Sequence, residues 1–259
     1  TQPTARLPIQ AYELSERATA QEQYIEQRLI QRCVADFGFR YLPGLSAKAV
    51  DADELISREY DSRRYGVSDA DAVRHYGYQL PAWTAGPDAT AGKPPVVELA
   101  VLMGSGTQDG RTIPAGGCTG QADRELAADG ITSGAQRAEL VSQIREDGFE
   151  RAQSDSRVLA VFARWSACMR AHGFHYANPF DAGADPRWRT SGKADPTQIA
   201  VAETDVSCKL STHLVDVEVA VESAYDNADI AVNATRLAPI RESVAAKSRA
   251  IARAMTTMR

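Results

Sequence analysis

The chain has 259 residues, 44% of them hydrophobic and 24% charged, with a formal net charge of -5. That composition buries a sizeable core and suits one large domain or two lobes. The mild acidity, with no basic group denser than "SRRYG", excludes a nucleic-acid binder, which needs a cationic face against phosphate. The longest apolar run, "PPVVELAVLMG", is too short to span a membrane and carries Glu98.

In chain order, the opening "TQPTARLPIQAYELSER" lacks the basic start and apolar middle of a signal peptide. It reads as a polar tether into the fold, of the kind left by signal removal or found at a cytosolic N-terminus. The first strong element is "TAQEQYIEQRLIQRCVADFG", in which Leu29, Ile30, Cys33, Val34 and Phe37 recur on one helical face. Gly38 ends the run where a helix cap favours a residue able to take positive φ. The stretch "DADELISREYDSRRYGVSDADAVRHYGYQLPAW" mixes a short helix with Gly-Tyr turns. "TAGPDATAGKPP" and "GSGTQDGRTIPAGG" read as loops, with "VVELAVLMG" between them as a buried helix or strand. Residues 135–152 predict an amphipathic linker helix. "SDSRVLAVFARWSACMRAHG" then repeats the first pattern, with Val158, Val161, Phe162, Trp165, Cys168, Met169 and His172 on one face and Gly173 as the stop. The Ala-rich C-terminal fifth predicts long helices with a break near Pro239. The expected fold is mainly α, with any strands short and confined to 60–115.

Two phrases correspond residue for residue. "RCVADFGFRYLPG" and "ACMRAHGFHYANP" both run cysteine, four residues, Gly-Phe, one residue, Tyr, at a constant offset of 135. The chain's four cysteines, Cys33, Cys118, Cys168 and Cys208, include no CxxC pair, so a metal reading is weak and two disulfides are favoured over four unrelated thiols. Of the three connectivities, local pairing of Cys33 with Cys118 and Cys168 with Cys208 gives each copy the same staple. Closing loops of 85 and 40 residues stabilises by roughly 4 to 5 kcal/mol each in the chain-entropy model. Such bonds persist in an oxidising compartment, which argues for export. The expected architecture is a pseudo-repeat of two stapled helical units, 1–134 and 135–259, with one compact domain as the alternative.

Several ordered motifs resemble a family of exported, often lipid-anchored proteins encoded widely by Streptomyces and related actinobacteria. They are "RLPIQAYEL", "RCVADFGFRY", "RRYGVSDADAVRHYGYQLP", "GGCTGQADREL", "WSACMRAHGFHYANP" and "IAVAETDVSCK" leading into a long terminal helix. The resemblance covers nearly the whole chain and implies export and paired cysteines, with no established activity attached. Members often keep a lipid-bearing cysteine just after the signal. Here the chain starts at Thr1 without one, so the expectation is an upstream anchor or free secretion.

Candidate chemistry is sparse. His172 and His175 are separated by the expected cap at Gly173, and His172 falls on the apolar side of its helix, so no metal site is expected from the pair. No nucleophile elbow, phosphate loop or cofactor fingerprint occurs, and no cofactor or catalytic residue is assigned. The acidic groups Asp51-Asp53-Glu54 and Asp69-Asp71 read as solvated faces or helix N-terminal charges. The segment 63–83 crowds cationic and aromatic groups, and its candidate binding residues are Arg64, Tyr65, His75, Tyr76, Tyr78 and Trp83. A loop packed back on the core by its tyrosines is the competing account. The expected function is binding of a small molecule or cell-envelope component. An extracellular hydrolase or secreted-metabolite tailoring enzyme, with His75 the first residue to test, is the alternative. A third reading is an assembly or structural protein that oligomerises through its C-terminal helices.

Overall fold

Helices form where apolar residues recur every three or four positions, and they dominate the molecule. The computed structural model describes residues 6–39, 50–51, 54–56, 62–81, 96–131, 135–188 and 193–257. A 3-10 turn, Pro8–Tyr12, precedes helix α1 (Glu16–Asp36). Then come α2 (Ala70–Tyr76), α3 (Val96–Met103), strands β1 (Gly106–Gln108) and β2 (Arg111–Ile113), and α4 (Gly117–Ala128). After them follow α5 (Ala135–Gln153), α6 (Ser156–Ala171), the short α7 (Pro179–Gly183), α8 (Pro196–Thr212), α9 (Leu214–Val232) and α10 (Ala234–Thr257). No described helix is long and apolar enough to cross a membrane.

The chain divides into two compact units, each assembled from three stretches. Unit 1 holds 1–11, 57–85 and 139–237; unit 2 holds 12–56, 86–138 and 238–259. The sequence reading divides the chain at 134/135 or takes it as one compact domain, whereas each unit here draws on three separate stretches.

In unit 2, Ile25, Leu29, Ile30 and Val34 of α1 pack with Val101 and Leu102 of α3, Ala122 and Leu126 of α4, and Ile251 of α10. The Cys33–Cys118 disulfide ties α1 to α4 at a Cα–Cα distance of 5.6 Å. Gly117 makes that junction: a Cβ there would stand 2.4 Å from the Leu102 carbonyl carbon, so no larger residue lets α3 end against the first turn of α4. In unit 1, Val158, Val161, Trp165 and Met169 of α6 pack with Val201 of α8 and Leu214 and Val221 of α9. Here Cys168–Cys208 ties α6 to α8 at 5.7 Å.

The two matched phrases fold into matched helix ends. Gly38 and Gly173 take φ of 80° and 86°. At each end the glycine N–H donates to the carbonyl three residues back (Ala35, Arg170), and the following Phe N–H donates five residues back, Phe39 to Val34 at 3.2 Å and Phe174 to Met169 at 3.0 Å. That double bond is the Schellman motif, and Phe39 and Phe174 supply its apolar contact by packing on their respective cores. The likeness is that of two helix ends, each beside its own disulfide, and it does not make the two units copies of one fold.

Three local features differ from the sequence reading. The β1–β2 hairpin falls within 60–115, where short strands were expected, but in the stretch 104–117 read as a loop; Asp109 and Gly110 turn it at φ 47° and 76°, the pair of positive values a type I′ turn needs. The C-terminal helices break at His213, whose left-handed backbone (φ 55°, ψ 36°) separates α8 from α9, and again at Asn233. Pro239, where a break was expected, lies inside α10. It is the sixth residue of that helix, so it removes the bond its N–H would give to the Thr235 carbonyl without ending the helix.

Candidate functional site

The segment 62–81 is held to unit 1 by its own polar side chains. Arg63 donates to the backbone carbonyls of Tyr78 (2.9 Å) and Gln79 (3.0 Å), which closes the segment on itself. Asp69 caps α2 by accepting from the N–H groups of Asp71 and Ala72, while Val73 is buried beneath. Tyr78 stacks on Trp188 with ring centroids 6.1 Å apart.

Beneath the segment lies a ladder of buried charges on α8 and α9. Asp205 and Lys209 sit four apart on α8; Glu218, Glu222 and Asp226 sit four apart on α9, so each set shares one helical face. All five are at most 2% exposed. Glu222 accepts from Arg64 Nε at 2.9 Å through one oxygen and from the Tyr65 hydroxyl at 2.6 Å through the other. Arg64 also donates to the Arg145 carbonyl (2.8 Å), and its guanidinium lies 4.7 Å from the Phe149 ring centroid. Asp205 accepts from Trp165 Nε1 (2.9 Å), the Tyr78 hydroxyl (3.2 Å) and Lys209 Nζ (3.2 Å). Lys209 Nζ in turn donates to the Val67 carbonyl at 2.8 Å. Small residues let the backbone close on these groups: Cβ atoms at Gly66 and Gly148 would stand 2.8 Å from Lys209 Nζ and 2.6 Å from Asp226 Oδ1.

Four carboxyls face two cations, so the fully ionised ladder carries two excess negative charges. Among the described residues, the two acids without a bonded cation are Glu218, which accepts from Gln153 at 3.0 Å, and Asp226, which accepts from the Ile9 N–H at 3.4 Å. Burial, with repulsion from Glu222, pushes Glu218 up to about 7 against the pull of Gln153 and Lys209. Burial and Glu222 likewise push Asp226 up to about 6. Burial also raises Asp205, opposed by Lys209. The Tyr65 and Tyr78 hydroxyls are raised by burial and by the carboxylates they donate to, so both remain donors. Among the described residues, one oxygen each of Glu218 and Asp226, and the Gln198 amide nitrogen, have no hydrogen-bond partner. Such an oxygen costs far less on a neutral acid than on an anion, in keeping with protons held near neutral pH.

The predicted binding residues are thus divided. Arg64, Tyr65 and Tyr78 turn inward to the ladder; Tyr65 is 7% exposed. His75 is exposed and Tyr76 half-buried on α2, with ring centroids 6.2 Å apart and His75 Nδ1 at 3.0 Å from the Asp71 carbonyl. Trp83 lies outside the described residues. Sequence reasoning missed Asp205, Lys209, Glu218, Glu222 and Asp226. The available signal was their place on apolar faces, between Val201, Val206 and Cys208 on α8 and between Leu214, Val221 and Tyr225 on α9. No family model matches the chain, and no curated protein or solved structure matches it either.

Proposed function

We propose that this is an exported binding protein that recognises a small molecule or a cell-envelope component through the 62–81 segment and performs no chemistry of its own. The observation that carries this reading is the clamp. Arg64, Tyr65 and Tyr78 engage Glu222 and Asp205 below, which holds His75 and Arg74 exposed on a braced frame. Polar and aromatic groups on a loop held by a rigid scaffold are a common basis of recognition. Two disulfides suit an oxidising compartment, in line with the resemblance to exported actinobacterial proteins. An enzyme reading would start from Glu218, whose proton affinity lies near neutral pH, yet that side chain is 0% exposed and meets no substrate in this arrangement.

The test is native mass spectrometry of the protein after incubation with extract and medium from its producing cells. A noncovalent adduct that is lost in His75→Ala/Tyr76→Ala, with helical dichroism unchanged, is the expected result. Turnover of an extract component by a protein whose mass stays bare would replace the binding reading with catalysis. An adduct unchanged in the double variant would move the site away from α2.

A further inference from the structure

The two staples differ in how solvent reaches them. Cys33 and Cys118 are 4% and 0% exposed. Cys208 is also enclosed, but Cys168 is only half-buried, near the C-terminal end of α6. A thiolate must reach a sulfur to attack it, so Cys168–Cys208 is the pair that a dithiol opens first. Four residues on from Cys168, His172 caps α6 and is exposed, although the periodicity places it on the apolar side. Its Nδ1 lies 2.9 Å from the Cys168 carbonyl oxygen. A carbonyl only accepts, so this contact places a proton on Nδ1, and in the neutral tautomer the metal-binding lone pair is on Nε2. Ligand atoms of Cys168, Cys208 and His172 all lie within 4.8 Å of one another.

Two thiolates and an imidazole form a donor set that suits Zn²⁺, and a hydrogen bond from the second ring nitrogen to a carbonyl is the usual support for a ligating histidine. Tetrahedral Zn–S bonds of about 2.3 Å place the sulfurs roughly 3.8 Å apart, beyond bonding distance, so the site requires the disulfide to be open. We propose that reduction of Cys168–Cys208 converts this staple into a three-ligand Cys₂His site for Zn²⁺, with the fourth position open to water. A dithiol transfers two electrons and two protons to the protein disulfide and leaves as a cyclic disulfide; the two protein thiols then release their protons as the ion binds. In an oxidising compartment the pair stays closed, and the site exists only where a dithiol reductant is present. None of its ligands belongs to the 62–81 segment, so it stands or falls separately from the binding reading.

The experiment begins with graded dithiothreitol followed by alkylation and peptide mapping. Cys168 and Cys208 are expected to be labelled at a reductant concentration that leaves Cys33 and Cys118 untouched. Protein reduced to that point, freed of reductant by anaerobic gel filtration, is then titrated with Co²⁺ as a spectroscopic probe. One bound ion with thiolate-to-metal absorption, bleached by Zn²⁺, is expected. His172→Ala, at an exposed position, should weaken the Co²⁺ affinity at least tenfold with the alkylation pattern unchanged. Three results would overturn the site: two free thiols with no thiolate band, a band equally tight in His172→Ala, or loss of helical dichroism when this pair alone is opened. Earlier labelling of Cys33 and Cys118 would overturn the order of reduction on which it depends.

Discussion

Unit 2 and unit 1 share a local device and an apolar core, and among the described residues only unit 1 adds buried charges to that core. In unit 2, α1 ends in a Schellman cap and is stapled to α4, and the side chains enclosed around that staple are apolar. Its Lys247–Glu22 pair, at 2.7 Å, stays partly exposed. In unit 1, α6 ends in the same cap and is stapled to α8, yet every buried charged residue among those described lies in this unit. A helix end and a disulfide therefore set where two helices meet without setting what is packed around them. Apolar packing stabilises a core without directional demands. A buried ionic ladder holds particular partners in particular places, and it is costly to break from one side.

The largest expected effect tests the shared device. Replacing Cys33 and Cys118 by Ser should destabilise the protein by about 4 to 5 kcal/mol, and replacing Cys168 and Cys208 by about 4 kcal/mol, from loops of 85 and 40 residues. Guanidinium unfolding of the two double variants measures both, and a reversed order would show that loop length is not what separates the staples.

The next effect belongs to unit 1 alone. Glu222→Ala strands the Arg64 guanidinium and the Tyr65 hydroxyl, and should cost about 3 to 5 kcal/mol. Hydrogen exchange resolved by segment should show the loss in α8, α9 and 62–81 before it reaches α1 and α4. Uniform loss across both units would show that the buried ladder does not stabilise unit 1 in particular.

Proton linkage gives a third, smaller effect. Glu218 and Asp226 bind protons more tightly in the folded protein than their ordinary values of 4.5 and 3.8, at about 7 and about 6. The stability they lend is therefore complete below those ordinary values and is lost as pH rises through 6 and then 7. For Glu218 the whole span is at most about 3 kcal/mol. Thermal unfolding at pH 5 and pH 8 should show greater stability at pH 5. Glu218→Gln should flatten the difference and stabilise the protein at pH 8; an unchanged slope in that variant would remove Glu218 as its source.

The smallest expected effect is steric. Gly148→Ala places a Cβ 2.6 Å from Asp226 Oδ1 and should cost about 1 to 3 kcal/mol. The same change paired with Asp226→Ala should recover most of it, as a double-mutant cycle would show.

Legibility followed the range of the interaction. The helix ends at Gly38 and Gly173 were readable because cap, cysteine and periodic apolar residues lie within one short window. The hairpin at Asp109-Gly110 was equally local, and its dipeptide was a usable signal within a segment read as a loop. His213 left no such mark, because its positive φ is imposed where α8 and α9 meet and not by its own residue type. In the 62–81 segment, sequence identified the cationic and aromatic crowding but not its direction. Arg64, Tyr65 and Tyr78 turn inward because Glu222 and Asp205 await them more than a hundred residues downstream.

By itself, then, the sequence determined a mainly helical protein, the two helix-and-cap phrases and the even set of cysteines, because periodicity, glycine stops and cysteine number are properties of short stretches. Tertiary structure decided how 57–85 and 139–237 combine into one unit, and which acids on α8 and α9 leave water. It also brought Cys168, Cys208 and His172 together. A carboxylate on a helix reads the same in sequence whether it faces solvent or a distant arginine. Burial and long-range pairing are set only when the chain has closed on itself, and they govern its proton affinity and its role.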